Sequence, residues 1–320
     1  MLTMSQFSSR VKELGGRWAV TGHTMPDPDA VASAIIFSYY TGAEVVVHDR
    51  MRSDSKRLYH LAEDAGLVSG YRVVDSLEDY DHVIVVDASA KMLLPHVGDR
   101  RVDLVIDHHV EQDGELIEYE MGRIERSPST VELVYDMIDL PIPPRLAAVM
   151  SIGIITDTAR FSQGELSTFQ KLVRLLDISD LSYNEMIEFI NQPLSFGERE
   201  VILEGLTGAD VQRLKNNLIL AVSRCKSHES IVSSMLKDAG ADLAIAYVIT
   251  ETGVRVSARL ATYLKDVVDL PGLMGKAGRL LGGSGGGHPL AAGADGLRQD
   301  KVDEVISMIR AELERVDLSV

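Results

Sequence analysis

Short apolar segments in the N-terminal half of the chain alternate with helix-like sequence, and several of them run directly into an aspartate. Four such segments lie at 18–21, 43–48, 82–86 and 102–106, with helix-like sequence at 30–40 and 55–65. Strands that alternate with helices are typical of βαβ units and a mainly parallel sheet. Asp87 follows the third segment and Asp107 the fourth. In open parallel sheets ligands bind beyond the carboxyl ends of the strands, so this pattern predicts a site at that edge.

The pattern becomes mostly helical from about 129 to 208, where Ser129 and Glu132 fit a capping box that opens a helix. Strand-like segments return at 218–223, 243–250 and 254–260, with helices at 228–238 and 301–316. We therefore predict a catalytic α/β domain over 1–190, a helical linker over 191–210 and a smaller α+β domain over 211–320.

Composition excludes several classes of protein. With 32 basic and 48 acidic residues the net charge is −16, which argues against a protein that coats long nucleic acid. The single cysteine, Cys225, permits neither an internal disulfide nor a cysteine-based zinc site. No apolar run approaches the roughly 20 residues of a membrane span, and no secretory leader is visible. A cytoplasmic protein without membrane partners is expected.

The segment after the first strand carries a histidine and two aspartates in an H-x3-D-x-D spacing, as His23, Asp27 and Asp29. Pro26 and Pro28 flank the first aspartate and restrict the backbone, which suits a fixed set of ligands. The alternative is that one aspartate only caps the following helix. The residues by themselves leave both interpretations open.

The later aspartates extend this set. Asp87 ends the third strand, and Asp107-His108-His109 ends the fourth. Asp157 follows an apolar stretch, where a charged group usually needs a partner or a metal. A turn or helix-end role is the alternative for each aspartate taken singly.

Together these motifs offer four aspartates and two histidines as ligands and no thiolate. Such ligands suit Mn, with Mg or Co as alternatives, better than structural zinc. Six ligands are more than one catalytic ion needs, and with one bridging aspartate they suffice for two ions about 3.5–4 Å apart.

A glycine-rich segment near the C-terminus is the last candidate. It reads Gly285-Gly286-Gly287-His288 and lacks both the P-loop ending and the dinucleotide-binding spacing. Glycines let a backbone approach an anion closely, and Arg259 could supply a guanidinium for phosphate. A flexible turn and a surface arginine are the alternatives, although the apolar residues that follow His288 favour an ordered turn.

These motifs, in this order, resemble the DHH phosphoesterase superfamily with the DHH-associated C-terminal domain of its RecJ and nanoRNase branch. The resemblance implies that His23, Asp27 and Asp87 hold one ion. It places Asp29, Asp87, His108 and Asp157 around a second ion, so that Asp87 bridges. It further implies that Asp107 orients the histidines, that His109 contacts the scissile phosphate, and that Arg259 with Gly285, Gly286, Gly287 and His288 holds the far end of the substrate. Pro28, Ala32 and the extra residues 282–284 depart from the family pattern.

The implied fold is an α/β, mostly parallel-sheet domain followed by a smaller α+β domain, with the active site in the cleft between them. The implied activity is two-metal hydrolysis of a short oligonucleotide or small nucleotide, as in nanoRNases and exonucleases. A cyclic dinucleotide phosphodiesterase and a 3′-phosphoadenosine 5′-phosphate phosphatase are the alternatives. A non-catalytic scaffold is disfavoured because all six ligands are present, and the glycine-rich motif argues against a pyrophosphatase. Whether the chain forms a homodimer is left open.

Overall fold

A six-stranded parallel sheet organises the N-terminal half of the computed structural model, which describes residues 2–110, 114–191 and 194–316. The strand order is β3-β2-β1-β4-β5-β6, and every neighbouring pair is parallel. The strands are Trp18–Thr21 (β1), Glu44–Val47 (β2), Arg72–Val73 (β3), His82–Val86 (β4), Val102–Asp107 (β5) and Tyr119–Ile124 (β6). The predicted mostly parallel sheet is confirmed.

Helices accompany this sheet, and two of them are buried on nearly every side. They are Met4–Leu14 (α1), Pro28–Thr41 (α2), Ser53–Asp64 (α3), Thr130–Tyr135 (α4), Pro144–Asp157 (α5), Leu166–Ile178 (α6) and Tyr183–Ile190 (α7). Residues 28–37 of α2 and 146–155 of α5 are all buried, as expected for helices that are apolar all round. A Cβ on Gly153 of α5 would lie 2.9 Å from the Cβ of Ala32 on α2, so glycine permits this close packing.

The C-terminal half forms a second six-stranded sheet of order β11-β12-β10-β9-β8-β7. Its strands are Asp210–Arg213 (β7), Ile219–Cys225 (β8), Leu243–Thr250 (β9), Gly253–Leu260 (β10), Gly285–His288 (β11) and Ala291–Gly296 (β12). Only β8 and β9 pair in parallel, so the sheet is mixed. Its helices are Phe196–Thr207 (α8), Glu229–Asp238 (α9), Leu270–Leu281 (α10) and Val302–Glu314 (α11).

Contacts divide the chain into two compact units, residues 1–192 and 193–320. Helix α8 falls within the predicted linker, yet it packs inside the second unit. Ile202 of α8 joins a buried cluster with Val232 of α9, and the Ser223 hydroxyl of β8 donates to the Gly205 carbonyl at 2.6 Å. This helix is therefore part of the core of the second unit.

Some elements depart from the sequence-based expectation. The glycine-rich segment was expected to be an ordered turn, but it forms strand β11, which pairs with β12 as an antiparallel hairpin. A Cβ on Gly285 would lie 2.0 Å from the Met274 carbonyl oxygen, so the close approach of α10 requires glycine there. Helices α1 and α10 had no counterpart in the prediction. Among the residues that the structure describes, none of the helices combines the length and apolar character that crossing a membrane requires.

Candidate metal centre and active site

The site lies at the carboxyl edge of the first sheet, where strand order reverses between β1 and β4. The chain leaves β1 toward β2 on one side, whereas β4 and β5 lie on the other. Such a reversal opens a crevice between the loops that leave the two central strands. A Cβ on Gly22, just after β1, would lie 3.1 Å from the Val86 carbonyl oxygen, so glycine lets the two strand ends come together.

The first predicted group of ligands converges in this crevice. Ligand atoms of His23, Asp27 and Asp87 all lie within 4.8 Å of one another. Asp27 also caps α2, because one of its oxygens accepts hydrogen bonds from the N–H groups of Asp29 and Ala30 at 3.0 and 3.1 Å. The capping interpretation of Asp27 is therefore correct. Its second oxygen is not used by the cap, and its role as a metal ligand stays a prediction.

A second group forms beside the first from Asp29, His108 and Asp157, whose ligand atoms also lie within 4.8 Å of one another. Asp29 is buried on α2 and does not cap the helix. Asp157 is the last residue of α5, and three consecutive left-handed residues, 159–161, turn the chain away directly afterwards. The Nε2 atom of His108 lies 3.4 Å from an oxygen of Asp157.

Asp87 belongs to the first group and also lies close to His108 of the second group. One of its oxygens is 3.8 Å from His23 Nε2, and the other is 3.5 Å from His108 Nε2. Its backbone is left-handed, with φ of 59°, a conformation that is uncommon for a residue other than glycine. A strained backbone at a strand end is typical of functional sites, because the surrounding structure must hold it.

The two histidines are oriented by backbone carbonyls. Nδ1 of His23 bonds to the Thr24 carbonyl at 2.8 Å, and Nδ1 of His108 bonds to the Ser127 carbonyl at 2.8 Å. With Nδ1 as the donor, each ring presents the Nε2 lone pair to the cluster, as metal-binding histidines do. Nε2 of His108 is buried and has no hydrogen-bond partner in the described structure. An orphaned buried acceptor among carboxylates fits a divalent cation.

The raised pKa values of the clustered aspartates also favour a site for cations. Burial raises the pKa of Asp29 and Asp87 well above the usual value, and neighbouring carboxylates raise both further. Burial, followed by the charge of Asp27, raises the pKa of Asp157 to about 7. Carboxylates cannot all ionise at such short range unless positive charge compensates them. The donor set and its charge therefore both suit divalent metals.

Asp107 and His109 form a hydrogen-bonded pair beside these groups, and His109 Nδ1 also lies 3.8 Å from an oxygen of Asp87. Asp107 is buried and accepts from the Ser89 hydroxyl at 2.6 Å and from His109 Nδ1 at 2.9 Å. Although burial opposes it, these hydrogen bonds hold the pKa of Asp107 below its usual value. The same hydrogen bond raises the pKa of His109, whose side chain is 49% exposed. Asp107 therefore favours the protonated form of a histidine whose side chain is about half exposed.

The predicted substrate-binding residues lie on the second sheet. Arg259 on β10 and His288 on β11 both pair with Ala291 of the intervening strand β12, so they lie at one level and on one face. Gly286 shares this face, and a Cβ there would meet nothing within 4 Å. Burial lowers the pKa of Arg259, whose guanidinium donates to the Ser257 hydroxyl. Gly285 and Gly287 alternate with these positions and face tightly packed backbone.

Sequence reasoning missed the residues that hold the ligands in place. Thr130 donates to both Asp29 and Asp87, Ser89 donates to Asp107, and the Ser127 carbonyl orients His108. The only signal was the predicted capping box, which located the start of α4. That box is half correct: Ser129 accepts from the Glu132 N–H, but the Glu132 carboxylate bonds instead to Thr168.

Sequence models of two protein families match the chain. The model of the DHH family, N-terminal domain, matches residues 17–154, and the DHHA1 domain model matches residues 221–315. The chain belongs to the DHH family. Together with the two ligand groups, this makes it a metal-dependent phosphoesterase, a hydrolase of phosphoric esters or anhydrides.

Individual relatives differ in how much of this DHH-family chain they cover. An uncharacterized protein of Methanocaldococcus jannaschii is 27% identical over 285 residues, 85% of this chain and 84% of that protein. A probable manganese-dependent inorganic pyrophosphatase of Lactiplantibacillus plantarum is 25% identical over 179 residues, 51% of this chain and 57% of its own length. The crystal structure of an exopolyphosphatase-related protein from Bacteroides fragilis superimposes with a TM-score of 0.68. At 15% identity it covers 98% of this chain and 96% of that one, and it shows a shared fold.

Proposed function

We propose that this chain hydrolyses the phosphodiester bonds of short oligonucleotides with the help of two divalent cations, Mn in the first place. The observation that carries this proposal is the convergence of six side chains, predicted as ligands, into two adjacent groups. Those side chains are His23, Asp27, Asp29, Asp87, His108 and Asp157. When bound, such cations lower the pKa of water and offset the charge that builds up on a phosphoryl group.

In this proposal, individual side chains would bind the cations and contact the substrate phosphate. His23, Asp27 and Asp87 would hold one cation, and Asp29, His108 and Asp157 the other, with Asp87 reaching toward both. His109 would donate from Nε2 to a non-bridging phosphate oxygen, because its Nδ1 is already engaged by Asp107. The hydrogen bond that His109 donates to Asp107 keeps the imidazole protonated to higher pH, which suits it to stabilise negative charge in the transition state.

The second unit supports a nucleotide substrate in this proposal. Arg259 and His288 share one face with a glycine whose missing side chain leaves open space. A guanidinium and an imidazole beside exposed backbone are suited to a phosphate and the sugar next to it. The net charge of −16 favours a short substrate, because a long strand needs many basic contacts.

Inorganic pyrophosphate is the second candidate, because a probable manganese-dependent inorganic pyrophosphatase matches half of the chain. The DHHA1 domain and its Arg259 face favour an organic phosphate instead. The predicted alternatives, a cyclic dinucleotide and 3′-phosphoadenosine 5′-phosphate, belong in the same comparison.

The test is a substrate panel with the purified, Mn-loaded full chain. It contains dinucleotides, longer oligonucleotides, a cyclic dinucleotide, 3′-phosphoadenosine 5′-phosphate and pyrophosphate. We expect the highest kcat/KM on dinucleotides, and a loss of more than about 100-fold in Asp87→Asn, since even changes behind a metal ligand cost 10–100-fold. Arg259→Ala should raise KM for dinucleotides and leave pyrophosphate turnover unchanged. Preferred turnover of pyrophosphate, or full activity in Asp87→Asn, would refute the proposal.

A further inference from the structure

Thr130, the first residue of α4, contacts two buried aspartates of the site, Asp29 and Asp87. Its N–H donates to Asp29 Oδ2 at 2.7 Å, and its hydroxyl donates to Asp87 Oδ1 at 2.8 Å. The next N–H, of Val131, donates to the other oxygen of Asp29 at 3.0 Å. Thr130 itself is fully buried. One residue therefore links aspartates of different ligand groups, through its backbone N–H to Asp29 and its hydroxyl to Asp87.

The hydroxyl of Thr130 bonds to one particular oxygen of the Asp87 carboxylate. That oxygen is Oδ1, which lies 3.5 Å from His108 Nε2, whereas Oδ2 lies 3.8 Å from His23 Nε2. A hydroxyl carries one proton, so donation to Asp87 uses its whole donor capacity. It also adds no charge, so the negative charge that attracts a cation is kept.

Helix α4 is anchored, so the position of this donor is fixed. The Ser129 hydroxyl caps the helix, and the buried carboxylate of Glu132 accepts from Thr168 on α6 at 2.9 Å. Lys171 on the same helix donates to the Glu132 carbonyl at 3.0 Å. Behind α4, the Val131 side chain packs against Gly153 of α5. A Cβ on residue 153 would lie 2.9 Å from that side chain, so glycine permits this contact. Hydrogen bonds and packing on several sides of α4 thus hold Thr130 in place.

We infer that Thr130 is a positioning residue for cation binding, whose hydroxyl orients Asp87 so that its two oxygens serve the two ligand groups. The inference rests on the proposed function, because it concerns the cations proposed for that site. Thr130 contacts neither the substrate nor the reacting atoms in this view and acts only through Asp87.

The experiment compares Thr130→Val with Thr130→Ser in the full chain. Valine keeps the shape and the N–H to Asp29 but removes the hydroxyl, whereas serine keeps the hydroxyl. We expect Mn²⁺ affinity, measured by calorimetric titration of chelator-treated protein, to fall about 10–100-fold in Thr130→Val and to stay within about threefold in Thr130→Ser. Thr41→Val, which removes a hydroxyl bonded only to backbone at the far end of α2, is the matched control.

Activity provides a second readout that a merely structural role would not move. In Thr130→Val the Mn²⁺ concentration for half-maximal activity should rise, and excess Mn²⁺ should restore most of kcat with KM for substrate unchanged. If Thr130→Val does not fold, Thr130→Ala takes its place with the same expectation. Wild-type affinity in the valine variant would overturn the inference and leave the proposed function standing. A wild-type chain that binds no Mn²⁺ would instead refute the proposed function.

Discussion

The stability of the metal-free protein should fall as pH rises from about 4 to about 7. The cause is the carboxylate cluster: burial and the charge of Asp27 raise the pKa of Asp157 to about 7, from 3.8 in the unfolded chain. Between these values the folded state holds a proton that the unfolded state has released, so the free energy of unfolding decreases with pH. About three pH units at 1.36 kcal/mol each amount to about 4 kcal/mol, a large share of the 5–15 kcal/mol of a typical domain.

Bound Mn²⁺ compensates the charge and should remove this loss. The difference in Tm between Mn-loaded and chelator-treated protein should therefore widen across the same pH range, to on the order of 10 °C at neutral pH. Trp18, the only tryptophan, is buried on β1, so its fluorescence reports the unfolding of the first unit. Asp157→Asn should weaken the pH dependence of the metal-free protein without abolishing it, because the pKa values of Asp29 and Asp87 are raised as well. Asp177→Asn, on the exposed side of α6, should leave the pH dependence unchanged. A metal-free Tm that is constant between pH 5 and 7.5 would refute the reasoning.

Two further predictions concern His109 and the packing behind the site. Asp107→Asn removes the hydrogen-bonded charge that raises the pKa of His109. The pKa of His109 should therefore fall, so that the ring loses its proton at a lower pH. The alkaline limb of kcat/KM should move to lower pH, and an unmoved limb would exclude His109 as the cation that contacts phosphate. Gly153→Ala places a Cβ 2.9 Å from Ala32, and such overpacking costs about 1–3 kcal/mol in denaturant unfolding. Gly197→Ala, whose Cβ meets nothing within 4 Å, should cost nothing, and equal effects in the two variants would contradict the packing argument.

The strands that carry the site were predictable because their signals are local. Runs such as 82–86 are apolar and β-branched and end at an acidic residue, and the structure gives β4 and β9 the predicted bounds. Helix α10 was missed, since three glycines interrupt its pattern. The hairpin of β11 was missed because its glycines are required by contacts with α10, which the local sequence does not reveal. The metal-binding roles of the six ligands and the domain limits stay predictions.

The sequence by itself determined the chemistry available to this protein: carboxylates and imidazoles at the ends of parallel strands, no thiolate, and an arginine with a glycine-rich segment in the second half. Residue type and strand order suffice for that, because the carboxyl ends of neighbouring parallel strands must meet at one edge. Only the tertiary structure decided how the ligands are held. The hydroxyl of Thr130 reaches Asp87 across 43 residues, and its N–H reaches Asp29 across 101. Such hydrogen bonds depend on how helices pack to within tenths of an ångström, and no local pattern of residues carries that information.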